Sequence, residues 1–216
     1  MGAEREFLVA ARSALLLIGE VQVVQAWDTP SALPEMTVGA LAAHLGSQVL
    51  TAHAAVTAGE AVTDEPPVSL LEHYQRVAWI GSGLDHSSNV TIRDTAEQSS
   101  QAGHHALFAS VQSALEDLTL AFGSSLPVGL PPAIRMPWWD WSVSFDDFLL
   151  TRVMEIVVHS DDLAVSVGVE PPAFPEPVLG PVLALLVGIS LRRHGQAAVV
   201  RALSRSERAT QSISAF

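Results

Sequence analysis

No cysteine and no lysine occur in the 216 residues of this chain, whose eleven cationic side chains are all arginine. The missing cysteine excludes disulfides, thiolate zinc sites and a cysteine nucleophile, so any thiol chemistry must use a thiol brought from outside; it also suits a reducing cytoplasm. The missing lysine excludes Schiff-base catalysis, and all-arginine usage is that of a genome rich in G and C. Positive charge is scarce: 11 basic against 23 acidic residues leave a formal charge of −12, which excludes the cationic surface a nucleic acid backbone requires. Long apolar runs are missing too. Val178–Leu191 is interrupted by Gly180, Pro181 and Gly188 and falls short of the roughly 20 residues that span a bilayer. Glu4 and Glu6 stand where a secretory signal carries positive charge, and Arg12 interrupts the next apolar run, so a cytoplasmic protein is expected.

Nearly half of the residues are hydrophobic, enough for one large core and a single domain over 1–216. Phe7, Leu8, Ala11, Leu15, Ile18, Val21 and Ala26 recur at helical spacing, predicting one helix over roughly 4–26 that Trp27 closes. After the Pro30 and Pro34 loop, Thr37 is the expected N-cap of a second helix from about Val38 to Ala58. Capping boxes at Ser69/Glu72 and Asp94/Glu97 predict a short helix and a long one running to about Phe122. The Gly-, Pro- and Trp-rich stretch around Trp138, Trp139 and Trp141 reads as an ordered loop, because the indoles need something to pack on. Ser144 with Asp147 opens a further helix that Gly168 ends, a last helix spans roughly 176–203, and a tail after about 204 is expected to be less ordered. Only short pieces such as Asn89–Arg93 alternate with strand period. The fold class is therefore all-α: a four-helix bundle with an additional C-terminal helix.

The most informative pair is Glu155 and His159 in TRVMEIVVHSDDL. Four residues apart, they share one helix face, close enough to grip one ion. Arg152, Glu155, His159, Asp162 and Ser166 form a polar stripe on a helix otherwise apolar on nearly every side. A third ligand must come from elsewhere, and His44 is the best of the other histidines, because it lies beside the apolar seam Leu41, Leu45 and Val49 with Ser47, Gln48 and Thr51. His53 lies on the opposite side of that helix; of His104 and His105 at most one can point inward; His73, His86 and His194 have more polar or loop-like contexts. Two imidazoles and a carboxylate leave a coordination position open, the composition of catalytic zinc, although nickel, iron or manganese accept the same donors. Asp162 can orient an imidazole from behind, and Arg152 and Trp138 can line a substrate or cofactor pocket. Spacing also admits the plainer arrangement, an exposed ion pair at 155/159 and a hydrogen-bonded helix histidine at 44. Asp162, His53 and Tyr74 are equal candidates for a general acid or base, so the catalytic group is unassigned.

Trp27–Leu45, WDTPSALPEMTVGALAAHL, resembles the first signature of the mycothiol-dependent maleylpyruvate isomerase family in the DinB-like superfamily. Arg152–Gly168, RVMEIVVHSDDLAVSVG, resembles its second, and the ending is similar to actinobacterial members. The resemblance implies an up-down-down-up bundle whose divalent metal is held by His44, Glu155 and His159, with mycothiol as thiol cofactor or co-substrate. The full isomerase carries an additional C-terminal domain, for which the residues after the last helix are expected to leave no room.

The expectation is a metalloenzyme, zinc the first choice, in which the ion activates mycothiol for isomerisation or S-transfer on an electrophilic small molecule. Metal-assisted hydrolysis without a thiol is one alternative; the other is a non-enzymatic bundle that binds a ligand or forms a homodimer through an apolar face.

Overall fold

The computed structural model describes residues 2–57, 66–123, 130–209 and 211–216. The fold is an all-α bundle of the DinB-like kind with one two-stranded sheet. Its long helices are α1 (Ala3–Ile18), α3 (Val38–Thr57), α6 (His104–Gly123) and α7 (Phe145–Val167), with a short α2 (Val21–Gln25) after the first. Helices α1 and α3 each pack against both α6 and α7. On α1 the buried residues Phe7, Ala10, Ala11, Ala14, Leu17 and Ile18 follow the three-and-four spacing that puts one face inward. Helix α7 buries Phe148, Leu149, Met154, Ile156, Leu163 and Ala164.

Around this core lie α4 (Leu70–Arg76), α5 (Ser87–Ser100), α8 (Glu176–His194) and α9 (Gln196–Ser204). Helix α5 packs on α3, and α8 packs on α7, α1 and α4. Strands β1 (Ala133–Ile134) and β2 (Val143–Ser144) pair antiparallel, with Ile134 opposite Val143, and a parallel bridge joins Val143 to Val68. The tryptophan loop is thus tied at both ends and anchored beside α4.

The expected caps at Thr37, Ser69, Ser144 and Gly168 are present. Thr37 Oγ1 accepts from Ala40 N at 3.0 Å, Ser69 Oγ from Glu72 N at 3.3 Å and Ser144 Oγ from Asp147 N at 3.1 Å. Gly168 ends α7 at φ 71°, the left-handed conformation that glycine adopts without strain.

Three expectations of continuity are corrected, each at a glycine. The helix expected over 4–26 stops at Ile18 and resumes at Val21; a Cβ on Gly19 would lie 2.9 Å from the Phe108 ring, and the ring of His104 bonds the Ile18 carbonyl at 2.8 Å. The long helix expected from Asp94 is two, α5 and α6, separated at Gly103 with φ 83°. The C-terminal helix is likewise divided into α8 and α9 at Gly195, φ 80°. Asp94 lies inside α5, whose cap is His86, and Glu97 serves a different helix: its carboxylate accepts from Thr37 N at 2.8 Å and Thr37 Oγ1 at 3.2 Å. Asn89–Arg93, which alternates like a strand, belongs to α5, because α3 covers one side of it. The expected end of the second helix at Ala58 and the first part of the tryptophan-rich loop lie outside the described residues. Residues 211–216 return to α8, where Ser190 Oγ donates to Ile213 O at 2.7 Å and Phe216 packs on Trp79.

Candidate metal centre

Helices α3 and α7 lie side by side, and their facing polar positions meet. One nitrogen from His44, one carboxylate oxygen from Glu155 and one nitrogen from His159 all lie within 4.8 Å of one another, a cluster that can hold a metal ion. His159 Nε2 is 3.1 Å from Glu155 Oε2, His44 Nε2 is 3.8 Å from the same oxygen, and the two rings stand edge to face at 4.7 Å. The three side chains are partly buried, 13–20% exposed, so an ion between them would keep one side open. Two imidazoles and a carboxylate are a donor set that fits a divalent ion.

Surrounding contacts hold the cluster in place. His159 Nδ1 is 2.9 Å from Asp162 Oδ2, which leaves Nε2 facing Glu155 and His44. Gln48, a turn beyond His44, donates through Nε2 to the His44 carbonyl at 2.9 Å and accepts from Arg152 Nη1 at 2.6 Å. Arg152 also donates to Thr151 Oγ1 and lies over the Phe148 ring. Its guanidinium is fixed beside the cluster without salt-bridging Glu155.

The protonation pattern follows from these contacts. Burial raises the Glu155 carboxyl, but bonding from His159, contact with His44 and the positive charges of His159 and Arg152 outweigh it and hold the group well below the usual carboxylate range. Burial pulls His159 down, but its bonds to Asp162 and Glu155 win and raise it to about 9. For His44 burial prevails, reinforced by the charges on His159 and Arg152, and the ring stays neutral. Without a metal the cluster therefore holds a carboxylate, an imidazolium and a neutral imidazole. A cation can replace the proton on His159 with no other rearrangement of charge.

A family model describing the mycothiol maleylpyruvate isomerase N-terminal domain matches residues 8–164. The chain belongs to this family. The match runs from within α1 to the last turn of α7, so it covers most of the bundle and all three residues of the cluster. No curated protein and no solved structure matches the chain.

Other sequence candidates fall elsewhere in this family member. His53 makes a partly exposed pair with Asp117 at 3.1 Å, His86 caps α5, and His194 bonds Ser214 O. Of the adjacent histidines, His104 turns inward onto Ile18 O and His105 is exposed. Trp138, expected in the pocket wall, is 69% exposed; Trp139 and Trp141 are the indoles that pack inward, stacked at 6.1 Å. His73, read as a polar or loop histidine, is 2% exposed between Tyr74, Trp139 and Trp141. Trp141 Nε1 donates to His73 Nδ1 at 3.0 Å, and burial with the charge on Arg152 lowers the His73 pKa to about 4.

Sequence reasoning placed Gln48 on the His44 stripe and set His73 aside, but gave neither the contacts the structure shows. Gln48 carried a usable signal, being one turn from His44 on the same stripe. His73 carried none, since its partners lie in a loop almost seventy residues away.

Proposed function

We propose that His44, Glu155 and His159 bind a divalent ion, zinc the first choice, and that the pocket brings a low-molecular-weight thiol, mycothiol, to an electrophilic small molecule for isomerisation or S-transfer. The observation that carries this reading is the convergence of three donors from α3 and α7 within 4.8 Å, in a chain whose family is named for mycothiol-dependent isomerisation. When bound, the ion supplies Lewis acidity, which makes thiolate available near neutral pH.

The chain's own groups do the rest. Asp162 fixes the His159 ring through Nδ1 and keeps Nε2 free for coordination. Arg152, held by Gln48 and stacked on Phe148, offers positive charge to an anionic group of thiol or substrate. Trp138 is kept as a contact for the outer part of a bulky thiol, since its exposed ring suits a wide ligand better than a buried reacting centre. None of the described helices is long and apolar enough to cross a membrane, which is compatible with cytoplasmic chemistry.

Thermal unfolding with mycothiol, zinc and a chelator tests the proposal. Mycothiol should raise the melting temperature of the zinc-loaded protein, and the chelator should abolish the gain. Equal zinc content in the wild type and a His159→Ala variant would remove the site, and turnover of an electrophilic ester without thiol would favour metal-assisted hydrolysis.

A further inference from the structure

A groove of about 590 Å³ runs between α1 and α6, and none of His44, Glu155 and His159 lines it. Leu15, Phe108 and Leu115 border it together with Leu16 and Leu120, which are 73% and 72% exposed. A single exposed leucine is ordinary on a protein surface, but two beside one apolar groove form a patch of the kind that marks an interaction site.

The two helices run antiparallel. The Phe7 and Phe122 rings meet at 6.5 Å near one end, and the His104 ring bonds the Ile18 carbonyl at 2.8 Å near the other. Between these contacts Arg12 on α1 and Glu116 on α6 stand at about the same level, on opposite walls of the groove. No ion pair among the described residues includes either of them. Glu116 accepts from Gln112 Nε2 at 3.0 Å, one turn away on its own helix.

This layout is self-complementary. A two-fold axis along the groove brings α1 of one copy beside α6 of the other and keeps both helix directions, so each helix gains a second antiparallel neighbour. The four helices then form an intermolecular bundle with opposed dipoles and the groove as its core. Leu16 and Leu120 leave solvent, and Arg12 of each copy faces Glu116 of the other. An axis across the groove instead sets α1 on α1 and α6 on α6, with Arg12 against Arg12 and Glu116 against Glu116, and like charges repel. The charges therefore select the first arrangement. The 16 residues of α1 span about 24 Å and two adjacent helices about 20 Å. That footprint, about 500 Å² per copy, is at the low end for a specific interface and suits a reversible contact.

We propose that the α1/α6 groove is the interface of a reversible homodimer, with Arg12 of each copy paired to Glu116 of the other around a two-fold axis. The interface is independent of the metal centre, whose ligands lie on α3 and α7.

Sedimentation equilibrium with exchanged charges tests the assignment. The wild type should pass from monomer to dimer as its concentration rises. Arg12→Glu or Glu116→Arg alone places like charges together at both contacts and should raise the dimer Kd about hundredfold. An equimolar mixture of these two variants should dimerise as the wild type does, because in the heterodimer both contacts again join opposite charges. Both positions are exposed, so circular dichroism and zinc content should match the wild type in each variant. Leu16→Ser, which leaves the charges in place, should also weaken the dimer by removing apolar area. A wild type that stays monomeric, single variants that dimerise like the wild type, or a mixture that stays monomeric would overturn the interface and leave the metal site standing. Absence of zinc would overturn the metal site and leave the interface standing.

Discussion

His159 and Asp162 are joined at 2.9 Å through Nδ1 and Oδ2, on the side of the ring away from Glu155 and His44. Two turns of α7 thereby carry Glu155 and His159, two of the three proposed ligands, and the carboxylate that bonds the far side of the His159 ring. Asp162 is held in turn by local order: Ser166 Oγ donates to the Asp162 carbonyl and accepts from Ala32 N, tying this turn to the loop before α3.

Asp162→Asn should weaken zinc binding by about 10–100-fold with the fold intact, since an amide holds the imidazole less firmly and lowers its basicity. His159→Ala should abolish stoichiometric zinc. Competition titration against a chromophoric chelator measures both, and wild-type affinity in Asp162→Asn would remove its orienting role.

Zinc uptake should release a proton. His159, raised to about 9 from an ordinary 6.5, is charged near neutrality, while Glu155 is already ionised and His44 already neutral. Apparent affinity should thus rise about tenfold per pH unit up to about pH 9. Calorimetry in buffers of different ionisation enthalpy should count about one proton per ion at pH 7.5. In the metal-free protein the sign is the reverse: the raised pKa contributes stability that is fully present below pH 6.5 and is lost as pH rises through 9.

His73 acts in the opposite direction. Its folded pKa, about 4, lies below the unfolded 6.5, so between these values the unfolded chain binds more protons and stability falls as pH falls. The loss should reach about 3 kcal/mol by pH 4, from the 1.36 kcal/mol that each pKa unit represents. Urea unfolding across this window checks it, and in His73→Phe the slope should flatten. Ring carbon shifts of His73 should report a neutral imidazole at pH 5.5.

Gln48→Leu should destabilise the protein by about 1–3 kcal/mol, because Arg152 Nη1 loses its 2.6 Å acceptor in a partly buried place. Zinc affinity should change little, since the amide bonds the His44 carbonyl and not its ring nitrogens. Denaturant midpoints measure the first effect and zinc titration the second.

Glu97→Ala should cost about 1 kcal/mol, the size of a lost helix cap. Although Glu97 lies in α5, its carboxylate accepts from Thr37, the cap of α3. Protection of the α3 amides Gly39–Leu41 against hydrogen exchange should fall, with no comparable change at the N-terminus of α5.

Much of the fold was legible because helices write their buried face into local spacing. The stripe of α1 and the caps at Thr37, Ser69, Ser144 and Gly168 could be read within a few residues of their positions. Helix breaks were less legible: the expected helices run across Gly19, Gly103 and Gly195, and only the approach of Phe108 or a positive φ marks them as ends. Of the candidate site, Glu155, His159 and Asp162 are local to one helix, and His44 was reached through its neighbouring apolar seam.

By itself the sequence determined the all-α class, the cysteine-free and anionic character of the chain, and the donors on α7, because composition and three-to-four spacing are local properties. Tertiary structure decided that His44 meets them, that Glu97 caps a foreign helix, that Trp138 faces outward while Trp139 and Trp141 enclose His73, and that the Tyr74 hydroxyl is buried without a partner. Those outcomes depend on which faces pack together across tens of residues, where close packing and the desolvation of polar groups, not periodicity, set the result.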